Sequence, residues 1–150
     1  MTEKELRAQT ACFLGEKQIL HKEIEAKLNN IIENLIAEKG FTRFVCDDTR
    51  GFADMAAGVV LSLKKKYPEI QLIYILPETP PGPNCPDMGA SAFERYAARA
   101  SNVIFSKNQF VHMLALSSFC VTYVRGDSKL YALVKTALWR GITAINILEY

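Results

Sequence analysis

The sequence predicts an α/β fold, in which a doubly wound and mainly parallel sheet of about six strands is flanked by helices. Short apolar runs alternate along the chain with longer segments whose apolar residues have helical spacing. Such alternation favours a parallel sheet with helices on both faces, and right-handed crossovers leave few topologies for it. The length of 150 residues suits one domain, so we expect residues 1–150 to form a single unit.

The spacing of the apolar residues predicts each element in turn. Continuous apolar runs indicate buried strands, and the clearest of them covers residues 70–76. Apolar residues three or four positions apart, with Lys and Glu between them, indicate helices. In chain order we predict strands over 9–14, 44–46, 70–76, 102–105, 119–124 and 142–148, and helices over 20–36, 52–63, 93–100, 109–116 and 130–138. Residues 77–89 are rich in proline and form the one long loop.

Composition and charge exclude several classes of protein. The chain is 49% apolar and 23% charged, which is too apolar for intrinsic disorder. The net charge of +2 favours neither a nucleic acid nor a membrane surface as a partner, and we expect neither. No apolar run is long enough for a signal sequence or a membrane span, so a cytoplasmic location is expected. The cysteines form no Cys-x-x-Cys pair, so we expect no metal site, and Cys12, Cys46 and Cys120 are predicted to be buried.

The residues that follow the predicted strands are the candidates for binding a ligand. In an open α/β sheet, ligands bind at the carboxyl ends of the strands, near the reversal in strand order. The chain has no glycine-rich phosphate-binding motif, and neither His21 nor His112 has the sequence neighbours of a catalytic base, so no catalytic residue is predicted. The adjacent Asp47 and Asp48 favour turn hydrogen bonds or helix capping over a magnesium site. The predicted ligand-binding residues are Gly15, Glu16, Lys17, Asp47, Asp48, Thr49, Arg50, Gly51, Asp54, Gly126, Ser128 and Lys129.

Two of these segments resemble one protein family. Residues 12–17, Cys-Phe-Leu-Gly-Glu-Lys, are similar to the Cys-Phe-Thr-Gly-His-Arg opening of the YpsA-like branch of the SLOG superfamily. Residues 44–57 resemble the Phe-x-x-Gly-Gly-Ala-x-Gly-Phe-Asp-x-x-Ala-Ala block of the same branch, and the likeness continues in order over nearly the whole chain. The resemblance implies a Rossmann-like domain that binds nucleotides or nucleotide-derived ligands. The superfamily also includes phosphoribohydrolases and a DNA-processing branch.

The sequence departs from the family pattern where the ligand is expected. In chain order, Glu16-Lys17 stands for His-Arg, Asp47-Asp48 for Gly-Gly, Ala53 for Asp, Gln109-Phe110 for Arg-Asn, and residues 126–129 for the late Gly-Gly-Thr loop. Aspartates in place of glycines add side chains where the backbone must approach a phosphate. Lysine lacks the bidentate fork of arginine. The phosphate-binding motifs of the family are therefore degenerate in this chain.

Three functional hypotheses follow. The favoured one is a non-catalytic domain that binds a nucleotide-derived or other small anionic ligand at the carboxyl edge of the sheet, with no cofactor assigned. The alternative is a structural or interaction subunit that retains the fold, exposes an apolar patch on the proline-rich loop or the third helix, and forms a homodimer. The weakest is a hydrolase of an N-glycosidic bond, with Glu16 or Asp54 as its acid or base.

Overall fold

The computed structural model of the chain describes residues 2–78, 98–126 and 128–149. Its strands are β1 (Thr10–Gly15), β2 (Arg43–Asp47), β3 (Gln71–Pro77), β4 (Asn102–Ser106), β5 (Phe119–Tyr123) and β6 (Thr143–Asn146). Its helices are α1 (Glu3–Ala8), α2 (Ile24–Ala37), α3 (Phe52–Leu63), α4 (Gln109–Leu116) and α5 (Leu130–Trp139), and a 3₁₀ turn covers Ile147–Glu149. Most of the predicted helix over 93–100 and most of the predicted loop over 77–89 lie outside the described residues.

The six strands form one parallel sheet in the order β4-β3-β2-β1-β5-β6. This arrangement confirms the predicted fold class. The chain moves outward from β1 through β2 and β3 to β4, and then crosses to the other side of β1 to form β5 and β6. The strand order therefore reverses between β1 and β5, which is where doubly wound sheets open a crevice for ligands.

Apolar side chains cover both faces of the sheet. Along β1, Phe13 joins the core beneath α2 and α3, whereas Cys12 and Leu14 join the core beneath α4 and α5. Every residue of β1 is buried, as expected for a strand with helices on both of its faces.

The predicted burial of three cysteines is confirmed. Cys12, Cys46 and Cys120 are buried and carry free thiols. Burial raises the pKa of the Cys46 thiol well above its ordinary value, so this side chain stays neutral. Cys46 therefore behaves as a small hydrophobe, and Cys85 lies outside the described residues.

The structure departs from the predicted elements in three places. Helix α1 was not predicted, although the Thr2 hydroxyl and the Glu5 carboxylate form a capping box that begins it. Helix α2 begins at Ile24 rather than at Leu20, so the predicted helix start before His21 is wrong. The last strand is shorter than predicted because the chain enters the 3₁₀ turn. None of the helices within the described residues is long and apolar enough to cross a membrane.

Candidate ligand-binding site

A crevice of about 550 Å³ opens at the carboxyl ends of β1 and β5, where the strand order reverses. We call it the switch crevice. Its lining residues are Leu14, Gly15, Glu16, Lys17, Gln18, Asp47, Thr49, Arg125, Ser128, Lys129 and Leu130. Of the residues predicted from the sequence, Gly15, Glu16, Lys17, Asp47, Thr49, Ser128 and Lys129 come together here. The position agrees with the rule that placed ligands at the strand ends.

Glu16 joins the two walls of the crevice. Its backbone N–H donates to the Tyr123 carbonyl over 3.0 Å, and its Oε2 accepts a hydrogen bond from the Arg125 backbone N–H at 3.4 Å. The segment after β1 is thereby fastened to the segment after β5. Glu16 thus has a structural partner within the crevice lining.

The buried Tyr123 anchors the loop between β1 and α2, which covers residues 16–23. The Tyr123 hydroxyl accepts a hydrogen bond from the Leu20 backbone N–H at 3.0 Å and lies 2.8 Å from Nδ1 of His21. Its ring stacks on Phe52, with 5.8 Å between the ring centroids. This anchoring explains why α2 begins late, because Leu20 is tied to β5 instead of entering the helix. His21 is a packed histidine outside the crevice lining.

Gly15 and Gly51 allow this loop to pack on the first turn of α3. A Cβ on Gly15 would lie 2.5 Å from the Phe52 ring. Gly51 has a φ of +75°, and a Cβ there would overlap the Lys17 carbonyl. The Phe52 N–H donates to the Glu16 carbonyl over 3.1 Å. Both glycines thus allow close packing, and the first amide of α3 already donates its hydrogen bond to a backbone carbonyl.

Asp47 ends β2 beside the crevice and forms the predicted turn hydrogen bond. Its Oδ1 accepts from the Thr49 backbone N–H at 2.9 Å. Helix capping by an aspartate is not observed, because Gly51 is the N-cap of α3 and no side chain bonds there. Burial raises the pKa of the Asp47 carboxyl above its ordinary value, and the hydrogen bonds from Thr49 oppose this effect.

Asp48 points away from the crevice lining and contacts α4. Its Oδ1 accepts a hydrogen bond from Nε2 of Gln109 at 2.7 Å, and the same Nε2 donates to the Ile75 carbonyl over 2.8 Å. Asp48 and Gln109 are therefore direct partners across two loops. Together they connect the loop after β2 to β3 and to the first turn of α4.

Asp54, Arg50, Gly51 and Gly126 do not line the switch crevice. Asp54 instead lines a separate groove of about 950 Å³ between α2 and α3. Burial raises the pKa of Asp54, and the positive charge of Arg50 opposes that shift. Glu16 and Asp54, the two acids considered for hydrolysis, therefore line different cavities. Among the described residues, no three His, Cys, Asp or Glu side chains are grouped as a metal site would require.

Arg125, Gln18, Leu14 and Leu130 line the crevice but are absent from the predicted set. Arg125 lies two residues after the end of β5. The rule that ligands bind at the carboxyl ends of strands could therefore have identified it. Leu14 and Leu130 are apolar, and no sequence signal separates them from core residues.

Among the described residues that line the crevice, cationic side chains outnumber the acidic ones. Lys17, Arg125 and Lys129 supply the positive charges, whereas Glu16 and Asp47 each accept a backbone hydrogen bond. The N-terminus of α5 also faces the crevice through Ser128, whose Oγ accepts a hydrogen bond from the Leu130 N–H at 3.1 Å. A helix N-terminus and lysines together attract anions. The site is therefore suited to bind an anionic group.

Comparison with known proteins gives a likeness of fold. Neither a protein-family model nor a curated protein matches the sequence. Among solved structures, the chain is similar to DNA processing protein A from Streptococcus pneumoniae, with a TM-score of 0.64 and 12% sequence identity. The match covers 93% of this chain and 50% of that one, so this chain spans about half the length of its structural relative. At this identity the likeness shows a shared Rossmann-like α/β fold.

Proposed function

We propose that this chain is a non-catalytic, divergent SLOG-type domain of the YpsA-like branch, whose switch crevice binds a small anionic ligand derived from a nucleotide. One observation carries the proposal: Lys17, Arg125 and Lys129 converge with the N-terminus of α5 on a single cavity at the reversal in strand order. The resemblance of residues 12–17 and 44–57 to that branch supports the same class of ligand.

The anionic part of the ligand lies at the α5 side of the crevice. Ser128 supplies a hydroxyl there, and Lys129 is the N-cap residue of the helix. The first turn of α3 is the less suitable end, since the Phe52 amide already donates to Glu16. Lysine side chains and α5 thus take over the task that glycine-rich backbone performs in the family pattern.

A hydroxyl-bearing part of the ligand lies beside Asp47. An acid at the carboxyl end of the strand next to β1 is the group that accepts ribose hydroxyls in dinucleotide-binding folds. Asp47 stands at that place and lines the crevice. A phosphate near Lys129 and a sugar near Asp47 describe a phosphorylated ribose, which is the shared chemistry of nucleotides and ADP-ribose-type compounds.

The geometry also supports a non-catalytic role. The hypothesis of an N-glycosidic hydrolase assigns the acid or base to Glu16 or Asp54, and such a group must reach the scissile bond of the bound ligand. Glu16 accepts a hydrogen bond from the backbone of Arg125, and Asp54 lines another groove. The remaining acid of the crevice is Asp47, which accepts from Thr49.

Titration calorimetry with ribose 5-phosphate, AMP and ADP-ribose tests the proposal. We expect saturable binding, and we expect Lys17→Ala and Lys129→Ala each to weaken it by about ten- to a hundredfold, since a hydrogen bond to a charged group contributes about 1.5–3 kcal/mol. Lys65→Ala is the matched control, because Lys65 is an exposed lysine two residues beyond the C-terminus of α3. Absence of binding by all three compounds would overturn the proposal, as would equal affinities of the two crevice variants and the wild type.

A further inference from the structure

A second cavity lies between α2 and the strands β5 and β6, on the other side of α2 from α3. We call it the lateral groove, and its volume is about 450 Å³. It shares no lining residue with the switch crevice. The lateral groove is therefore a separate cavity, and the proposed nucleotide-type ligand does not account for it.

The floor of the lateral groove is apolar and belongs to the core of the domain. Ile31 and Leu35 line it from α2, and Phe119 and Ile145 line it from β5 and β6. Leu35 is buried, and the other three are half-buried and pack against the core beneath α2 and α3. The Phe119 ring meets the Phe41 ring edge to face, with 5.9 Å between the ring centroids. The floor is thus a preformed surface that can hold an apolar group.

Charge is segregated around α2, and the lateral groove lies on the positive side. Within the helix the acids are Glu25 and Glu33. Glu25 lines the groove toward α3, and Glu33 forms an ion pair with Lys66 at 2.8 Å. Lys27 and Lys39 line the lateral groove, and none of its described lining residues is an acid. A ligand of complementary charge is therefore an anion.

The end of the groove at Lys27 is the better place for an anionic head group. Lys27 stands near the N-terminus of α2, where the helix dipole is positive, whereas Lys39 follows the C-terminus, where the dipole opposes an anion. Lysine has three N–H donors, so Lys27 can hold a carboxylate in addition to its contacts within the chain. Asn30 lines the same groove three positions further along, and residues at this spacing are neighbours on a helix. Lys27 and Asn30 together supply donors for a carboxylate.

The shape of the groove suits an extended tail. Along α2 the lining runs from Lys27 to Leu35, which corresponds to roughly 12 Å at the rise of an α-helix. Ligand cavities typically measure about 300–1,000 Å³ and combine an apolar lining with a few polar groups, and the lateral groove meets both conditions. One cationic end and a long apolar floor match an amphiphile with a single anionic head.

We infer that the lateral groove binds an unbranched, medium-chain carboxylate, whose head group lies at Lys27 and whose acyl tail lies along Ile31, Leu35, Phe119 and Ile145. The inference goes beyond the proposed function, because it concerns another cavity and another class of ligand. Binding at one site does not require binding at the other, so each can be disproved while the other stands.

Titration calorimetry with octanoate, decanoate and dodecanoate, each below the concentration at which it forms micelles, tests the inference. We expect the affinity to rise with chain length, by up to about fourfold for each methylene that the floor buries. Decanol has the tail of decanoate without the charge, and we expect it to bind about fivefold more weakly. Equal affinities of decanol and decanoate would overturn the inference, as would affinities that do not depend on chain length.

Substitution of Lys27 tests the place of the head group. We expect Lys27→Ala to weaken decanoate binding by about fivefold, as the loss of a partly exposed ion pair should. Lys22→Ala is the matched control, because Lys22 is an exposed lysine near the same end of α2 but lines the groove toward α3. We expect this control to bind like the wild type. A larger effect of Lys39→Ala than of Lys27→Ala would overturn the assignment. Far-ultraviolet circular dichroism checks that each variant is folded.

Amide NMR spectra locate the bound decanoate. We expect the largest shifts at Ile31, Phe119 and Ile145, and shifts confined to the exposed Trp139 on α5 would overturn the inference. Binding of anionic lipid vesicles without binding of monomeric decanoate would also overturn it and would assign the groove to a membrane surface. Lys27→Ala should bind ribose 5-phosphate as the wild type does, which separates this test from that of the switch crevice.

Discussion

At the scale of single residues, the contact between Asp48 and Gln109 joins two loops that are far apart in the chain. The Asp48 carboxylate introduces charge into the loop after β2, and the Gln109 amide donates to one of its oxygens at 2.7 Å. The same amide also donates to the Ile75 carbonyl. We therefore expect the two positions to act as a unit.

Replacement of Gln109 by alanine tests this coupling. We expect Gln109→Ala to lower the free energy of unfolding by about 1–3 kcal/mol, since a half-buried carboxylate and a carbonyl lose their donor. In the Asp48→Ala background the cost of Gln109→Ala is smaller, and urea unfolding of the four proteins of the cycle measures the difference. Additive effects of the two substitutions would show that the residues are not coupled.

Only some of these residue contacts could be predicted from the sequence. The turn hydrogen bond of Asp47 was predictable because its partner, Thr49, is two positions away and aspartate favours such turns. The partner of Asp48 is 61 positions away in the chain. Nothing in the local pattern of either residue indicates the other, so their contact required the fold.

At the scale of elements, the late start of α2 has its cause in another strand. Helical spacing begins at Leu20, but the Leu20 amide donates to the Tyr123 hydroxyl of β5. This tertiary contact overrides the local helical pattern and creates the loop of residues 16–23. Elements whose apolar periodicity agrees with their tertiary contacts, such as α3 and β3, lie close to the predicted bounds.

The packing of that loop on α3 leads to a prediction about two glycines. We expect Gly51→Ala to lower the free energy of unfolding by about 2–5 kcal/mol, which combines the strain of a positive φ with overlap against the Lys17 carbonyl. Gly126→Ala is the control, since a Cβ there meets nothing within 4 Å. For Gly126→Ala we expect a change within about 0.5 kcal/mol. Thermal or urea unfolding measures both values, and equal losses would refute the proposed contact.

At the scale of the whole molecule, two carboxyl groups link stability to pH. Burial raises the pKa values of Asp47 and Asp54 above their ordinary range. Between the ordinary and the raised pKa, the folded chain holds protons that the unfolded chain has released. The free energy of unfolding therefore falls as the pH rises through this window, which begins near pH 4.

Neutral variants of the two acids test this linkage. We expect Asp47→Asn with Asp54→Asn to be more stable than the wild type at pH 7, and the advantage to disappear toward pH 4. Glu33→Gln gives the opposite sign, because hydrogen bonds from Lys66 and Tyr67 lower the pKa of Glu33. That variant loses a small amount of stability at neutral pH and none in acid. Parallel pH profiles of the wild type and the double variant, from urea unfolding, would contradict the argument.

The sheet of the whole molecule was predictable, whereas its surfaces were not. Alternating apolar periods imply six strands, and the parallel topology follows from the crossovers. The strand-end rule also located most of the switch crevice. The strand-end rule could not show that Asp54 and Glu16 line different cavities, because only the packing of α2 on α3 places Asp54 in another groove. The exposure of Trp139 is likewise a property of what α5 packs against, and the apolar spacing of that helix alone suggests burial.

The central position of β1 governs the order in which the molecule can be assembled on the ribosome. Residues 10–77 contain β1, β2 and β3 with α2 and α3, and these can associate as soon as they emerge. Until β5 is synthesised, β1 is an open edge, and such edges recruit other chains during folding. The Glu16 amide reaches its Tyr123 acceptor only then. The crevice can consequently form only after β5 and the start of α5 have been synthesised, because Arg125, Ser128 and Lys129 belong to its lining.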